Sequence, residues 1–186
     1  DNLGQWFREN GEFFIIPFVD MDGVEIGDQP KNRHTHEHKH DETDILYPQI
    51  STLREQATAW SQGETLFTLN LHCPNTLGET DTQAYLVCSQ DEGVWQQANL
   101  FGDILERVRQ VPILRFREND LPYTQVRHAD ISPGDIFSNW AASLPGARFA
   151  STLVIPYAAA NRTKVNPEKA RLLGHDLAHA LAIYFQ

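Results

Sequence analysis

The sequence predicts an α/β fold, a mixed and largely parallel sheet flanked by helices. Three observations carry this. Four apolar runs recur, at 12–19, 65–72, 84–88 and 151–157. Segments with apolar residues at helical spacing lie among and after them. Strands that alternate with helices belong to α/β sheets.

The elements follow in chain order. "EFFIIPFVD" (Glu12 to Asp20) is nearly continuous apolar sequence, the pattern of a strand buried on both faces. "DMDGVEIGDQPKNR" follows with turn residues throughout. "YPQISTLREQATAW" places Ile50, Leu53, Ala57 and Trp60 on one helical stripe. "TLFTLNLH" and "AYLVCS" are the second and third buried strands. Leu100, Ile104, Leu105 and Val108 suggest another helix. "STLVIPY" is the fourth strand. "NPEKARLLGHDLAHALAIYF" closes the chain as a helix, with Asn166 as N-cap and Pro167 in the first turn.

Composition narrows the function. The chain has 186 residues, enough for one domain with a sizeable core. Apolar residues make up 41% and charged residues 22%, as in ordinary globular proteins. A net charge of −10 lacks the basic footprint of a nucleic-acid binder. No apolar run reaches membrane-spanning length. The first residues have neither the basic start nor the apolar centre of a signal peptide. The compartment stays open, because an upstream signal could have been removed. Cys73 and Cys88 alone encode no disulfide framework and no cysteine-rich zinc module. Each ends a strand, so a disulfide is possible; the default is two free buried thiols.

Chemistry-bearing residues gather in three places. "NRHTHEHKHDETD" puts histidines at 34, 36, 38 and 40 around Glu37. In an extended segment this period of two turns all four rings to one face, which permits adventitious zinc or nickel binding by His36, His38 or His40. The plain reading is a solvated loop. His72 ends the second strand, and Val154 lies inside the last. In open α/β sheets, functional residues gather past the carboxyl ends of strands, so His72 is expected at that edge. Asp20 joins it if the first strand is parallel.

"FFIIPFVDMDGVEIGDQPKNR", "HEHKHD", "LNLHCPN" and "ASTLVIPYAAANRTKVNPEKARLLGHDLAHAL" together resemble the zinc carboxypeptidase (metallocarboxypeptidase) family, in the order and spacing of its bacterial branch. The similarity runs from about Phe13 to the end and is weaker between Ser89 and Pro133. It implies a single zinc carboxypeptidase-like domain over 1–186. It also implies removal of C-terminal amino acids from peptides, with zinc as cofactor and a peptide C-terminus as substrate or ligand. Such enzymes hold zinc with a His-x-x-Glu pair and a later histidine. The metal polarises the scissile carbonyl and acidifies a bound water, and a glutamate takes that water's proton.

Residue by residue, the resemblance makes His72 the later zinc ligand and Arg33 an arginine of the substrate loop. Lys39 and His40, flanked by Glu37 and Asp41, stand where the family reads Asn-Arg for the substrate carboxylate. The family's "TLEIPYA" is "TLVIPYA" here, so Val154 holds the position of the general base. A valine accepts no proton, and loss of a positioned base costs ~10²–10⁴-fold. The resemblance places the His-x-x-Glu pair and the first strands upstream of residue 1. The domain is thus expected to be N-terminally incomplete, inactive as this chain, and apolar along one exposed sheet edge or face.

Two local motifs compete. "HTHE" (His34 to Glu37) has His-x-x-Glu spacing, but His72 follows too soon and the tetrapeptide falls in the substrate loop. "HDLAH" (His175 to His179) resembles the two-histidine helix of zincins, but Asp176 is one methylene short and no third ligand follows. In the carboxypeptidase reading this helix packs leucines inward and turns His175, Asp176 and His179 outward. Two further function classes remain open: a non-catalytic descendant that binds peptide termini or a partner, and an unrelated His-rich metal-binding protein.

Overall fold

The computed structural model describes residues 2–27, 47–73, 84–89, 91–112, 137–156, 159–160 and 162–186. The chain forms α1 (Asn2–Asn10), α2 (Met21–Ile26), α3 (Pro48–Ser61), β1 (Leu66–His72), β2 (Tyr85–Cys88), α4 (Glu92–Val108), α5 (Phe137–Ala142), β3 (Ala147–Val154), β4 (Ala159–Ala160), β5 (Thr163–Lys164) and α6 (Pro167–Tyr184). The main sheet has the order β1-β3-β2. β1 runs parallel to β3, and β2 antiparallel to it, so the sheet is mixed. β4 and β5 form a separate two-stranded ribbon.

Local chemistry explains the helix ends. Asp91 accepts a hydrogen bond from Val94 N at 3.0 Å and starts α4. Asn166 does the same for Lys169 N at 2.9 Å, with Pro167 behind it, and starts α6. The strands are set by alternation, which sends neighbouring side chains to opposite faces. Phe67, Leu69, Leu86, Phe149 and Leu153 pack under α4 and α6 with Phe101, Leu105, Leu173 and Tyr184. Phe67 and Phe149 stack at 4.0 Å between centroids, one on each strand of the β1·β3 pair. Leu66 and Ala150 face the other way, into a second cluster with Leu53, Ala57 and Trp60 of α3 and Trp140 and Ala141 of α5. Gly146 (φ 79°) lets β3 begin against the turn before β1. Its carbonyl accepts from Leu66 N at 2.8 Å, and an added Cβ would overlap the Glu64 carbonyl oxygen.

Several sequence expectations need correction. Residues 12–19 form no strand. A strand is defined by its ladder, and no described strand lies alongside this run. Its rings rest instead on helices: Phe13 meets Phe7 edge-on at 5.5 Å, and Phe14 stacks on Trp60 at 5.7 Å. The rest stays in solvent, with Ile15 at 73% and Phe18 at 55% exposure. The stretch after Asp20 is a short helix rather than a turn, because Asp20 accepts from Gly23 N at 3.2 Å as an N-cap. β1 is not buried on both faces. It is an edge of the described sheet, and Leu71 is 60% exposed. The last strand starts at Ala147 and stops at Val154 rather than spanning 151–157. Helix α5 and the β4–β5 ribbon are too short for periodicity to reveal.

Candidate functional site

Strand pairing builds the site. β1 and β3 run side by side and end together, with His72 opposite Val154. Ile155 N donates to the His72 carbonyl at 2.8 Å, which carries the ladder one residue past that pair. β2 enters from the other side, with Tyr85 opposite Val154. The carboxyl edge of the parallel pair therefore presents the row His72, Val154, Tyr85. At strand spacings of about 4.8 Å its outer members lie roughly 10 Å apart at the backbone.

The row directly beneath, on the same face, reads Asn70, Thr152, Val87. There Asn70 Nδ2 donates to Thr152 Oγ1 at 3.2 Å across strands. This face is the one that α3 and α5 cover further down. The opposite face belongs to Leu153, Leu86 and the aromatic core.

Exposure separates the roles. His72 and Tyr85 are half-buried. Val154 between them is buried, at 4% exposure. The row thus offers one imidazole and one phenol on either side of an aliphatic floor. Val154 fills the core and ends β3 at the sheet edge, rather than lying inside the last strand. Tyr85, Asn70 and Thr152 were missed in the sequence. Their signal was the alternation of "LNLH" against "TLV", which becomes readable only once the register is known.

The other sequence candidates stand apart. Arg33, Lys39, His40 and the His34–His38 stretch lie outside the described residues. Asp20 caps α2 rather than ending a strand of the sheet. Cys73 follows His72 and is exposed, not buried. Even so, desolvation raises its thiol above the ordinary value. Cys88 pairs with Ser151, level with Leu69. Cys73 is therefore about four residues along and two strands across from it, roughly 13 Å by 10 Å. A disulfide needs Cα atoms within about 7 Å, so the two cysteines do not pair. In α6, His175 and His179 point outward, but Asp176 is fully buried. This corrects the expected outward turn of that motif.

A zinc ion tests the row directly. Zinc takes four ligands in structural sites and three protein ligands in catalytic ones. Among the described residues no group of three or more His, Cys, Asp and Glu could hold a metal ion. Within the row His72 is the single such residue, and its neighbours carry a methyl pair and a phenol. The described residues do not fit a zinc centre.

No protein-family description and no curated protein matches this sequence. Solved structures do resemble the fold. A metallo-carboxypeptidase from Burkholderia cenocepacia superposes with TM-score 0.74 at 16% identity, covering 100% of this chain and 48% of that one. A metallo-carboxypeptidase from Pseudomonas aeruginosa, in complex with (2-guanidinoethylmercapto)succinic acid, gives 0.72 at 15%, covering 98% and 48%. A Shewanella denitrificans OS-217 protein provisionally named carboxypeptidase A gives 0.72 at 14%, covering 99% and 49%. The chain thus has a carboxypeptidase-like fold and spans about half the length of these structures.

Proposed function

We propose that residues 1–186 are one metallocarboxypeptidase-like domain that carries the later zinc histidine, His72, beside a vacated base position, Val154. One observation carries the reading: the parallel register sets His72 against Val154 at the carboxyl edge of the sheet. A ligand and a base that act on one water must lie within hydrogen-bond reach of it. Adjacent parallel strands give that proximity by construction. The likeness to metallo-carboxypeptidase structures supports the same assignment at the level of fold.

In this reading the zinc of the family would supply Lewis acidity, but this chain's described residues cannot hold it. Val154 cannot move a proton. What remains is recognition. Arg33 and Lys39 are cations that suit a peptide's terminal carboxylate, Arg33 as a fork and Lys39 as a point charge. His40 contributes a donor. The chain by itself binds C-terminal carboxylates weakly and does not cleave them.

The test is release of C-terminal amino acids from a panel of blocked dipeptides, with and without added zinc. The expected result is no turnover by the parent chain or by Val154→Glu, since the ligand deficit persists in both. Zinc-dependent release by the parent chain, abolished in His72→Ala, would overturn the reading. Carboxylate binding is read separately, as the loss of dipeptide affinity in Arg33→Ala.

A further inference from the structure

We infer that His175 and His179 form a two-nitrogen site for a divalent late transition metal, copper(II) before nickel(II), on the outer face of α6. The two residues are one helical turn apart, so they share a face. His175 on that face is exposed and His179 half-buried, while Ala182, the next residue along the same stripe, is buried; Leu173, Asp176, Ala180 and Tyr184 turn inward. The helix is fixed along its length by these buried residues and at its start by the Asn166 cap.

The ring spacing accords with one coordination geometry better than another. The imidazole centroids are 4.5 Å apart, with planes tilted by 55°. A metal–nitrogen bond of about 2.0–2.1 Å plus about 1.2 Å from nitrogen to ring centre puts each centroid about 3.2 Å from a bound ion. Two rings at a right angle about that ion then lie about 4.5 Å apart, and at a tetrahedral angle about 5.2 Å. The observed spacing is the right-angle one. Right-angle nitrogen pairs suit the tetragonal geometry of copper(II) and nickel(II) rather than tetrahedral zinc, and copper stands highest in divalent affinity. Turning either ring about its Cβ–Cγ bond hardly moves its centroid, so the spacing is kept as the rings turn toward an ion. The rings need no gathering on binding, which removes an ordering cost. Water fills the remaining positions, because the pair supplies two ligands. The net charge of −10 favours cation capture.

This site is separate from the His72 row. α6 packs on the Phe149 and Leu153 face of the sheet, whereas His72 and Val154 lie on the other. It therefore stands or falls independently of the proposed function.

The test must remove the competing histidines of the 34–40 stretch. Copper(II) chloride is titrated calorimetrically into full-length chain carrying His34, His36, His38 and His40→Ala. One equivalent is expected to bind, more tightly than nickel. Its copper spectrum should show coupling to two nitrogens. Loss of an outer-shell partner already costs about 10–100-fold in metal affinity, so His175→Ala or His179→Ala in that background should cost no less. His72→Ala should cost nothing. Absence of copper binding in the loop-substituted background, or binding indifferent to both α6 substitutions, would overturn the assignment. On the unmodified chain, nickel should protect His175 and His179 together from diethylpyrocarbonate, mapped by mass spectrometry. Modification unaffected by nickel would overturn it as well.

Discussion

Asp176→Ala should destabilise the fold by about 2–4 kcal/mol. The Asp176 side chain is fully buried, and its Oδ2 accepts from Gln110 N and Val111 N, both at 2.8 Å. It thereby ties α6 to the chain that leaves α4. Truncation orphans both donors. Gln110 is exposed, so its N–H can turn to water and recover much of the loss. Val111 is fully buried and has no such recourse. An orphaned buried donor costs about 1–3 kcal/mol, and the lost hydrogen bond to a charged acceptor about 1.5–3 kcal/mol. These overlap, which gives the stated range. Asp176→Asn keeps an acceptor oxygen for both amides. However, it sets an NH2 where Oδ1 has no partner among the described residues, so its loss should be smaller but not zero. Urea unfolding followed by tryptophan fluorescence and circular dichroism measures both variants against the parent at equal m-value. An Asp176→Ala chain within about 0.5 kcal/mol of the parent would refute the tether.

Three other outcomes are expected. Phe149→Ala should cost about 3–5 kcal/mol in the same assay, since it removes the ring stacked on Phe67 and leaves a void under α4 and α6. Burial raises the Tyr184 phenol above its ordinary value, against an opposing pull from Arg148, whose guanidinium sits 4.8 Å from the ring centre. With the folded pKa above the unfolded one, its stabilising contribution is complete below the unfolded pKa of about 10 and is lost as pH climbs through the folded value. Phenolate absorbance should therefore show a late-titrating tyrosine coupled to alkaline unfolding, later still in Arg148→Ala. The apolar stretch at 13–26 should drive concentration-dependent association, and sedimentation velocity should show it suppressed in Ile15→Lys/Phe18→Lys.

Much of the fold was legible because its causes are local. Asn166 followed by Pro167 starts a helix wherever it stands, since cap and fixed φ act within one turn. The runs around Phe67, Leu86 and Leu153 read as strands because each is a short apolar run, a pattern that does not depend on its partner. Tertiary structure decided the rest, for reasons that no local window contains. Residues 12–19 have strand composition, yet a strand also needs a neighbour to accept its hydrogen bonds, and the described sheet provides none. Asp176 looked like half of an outward motif. The phase at which α6 settles against α4 turned it inward instead, where two amides required an acceptor. The row of His72, Val154 and Tyr85 depends on register between strands that the chain brings together from afar, as the Asn70–Thr152 bond does across 82 positions. The residue types at the sheet edge were written in the sequence. Their meeting was not, because a register is fixed by the packing of both faces at once and shifts every side chain when it slips by one.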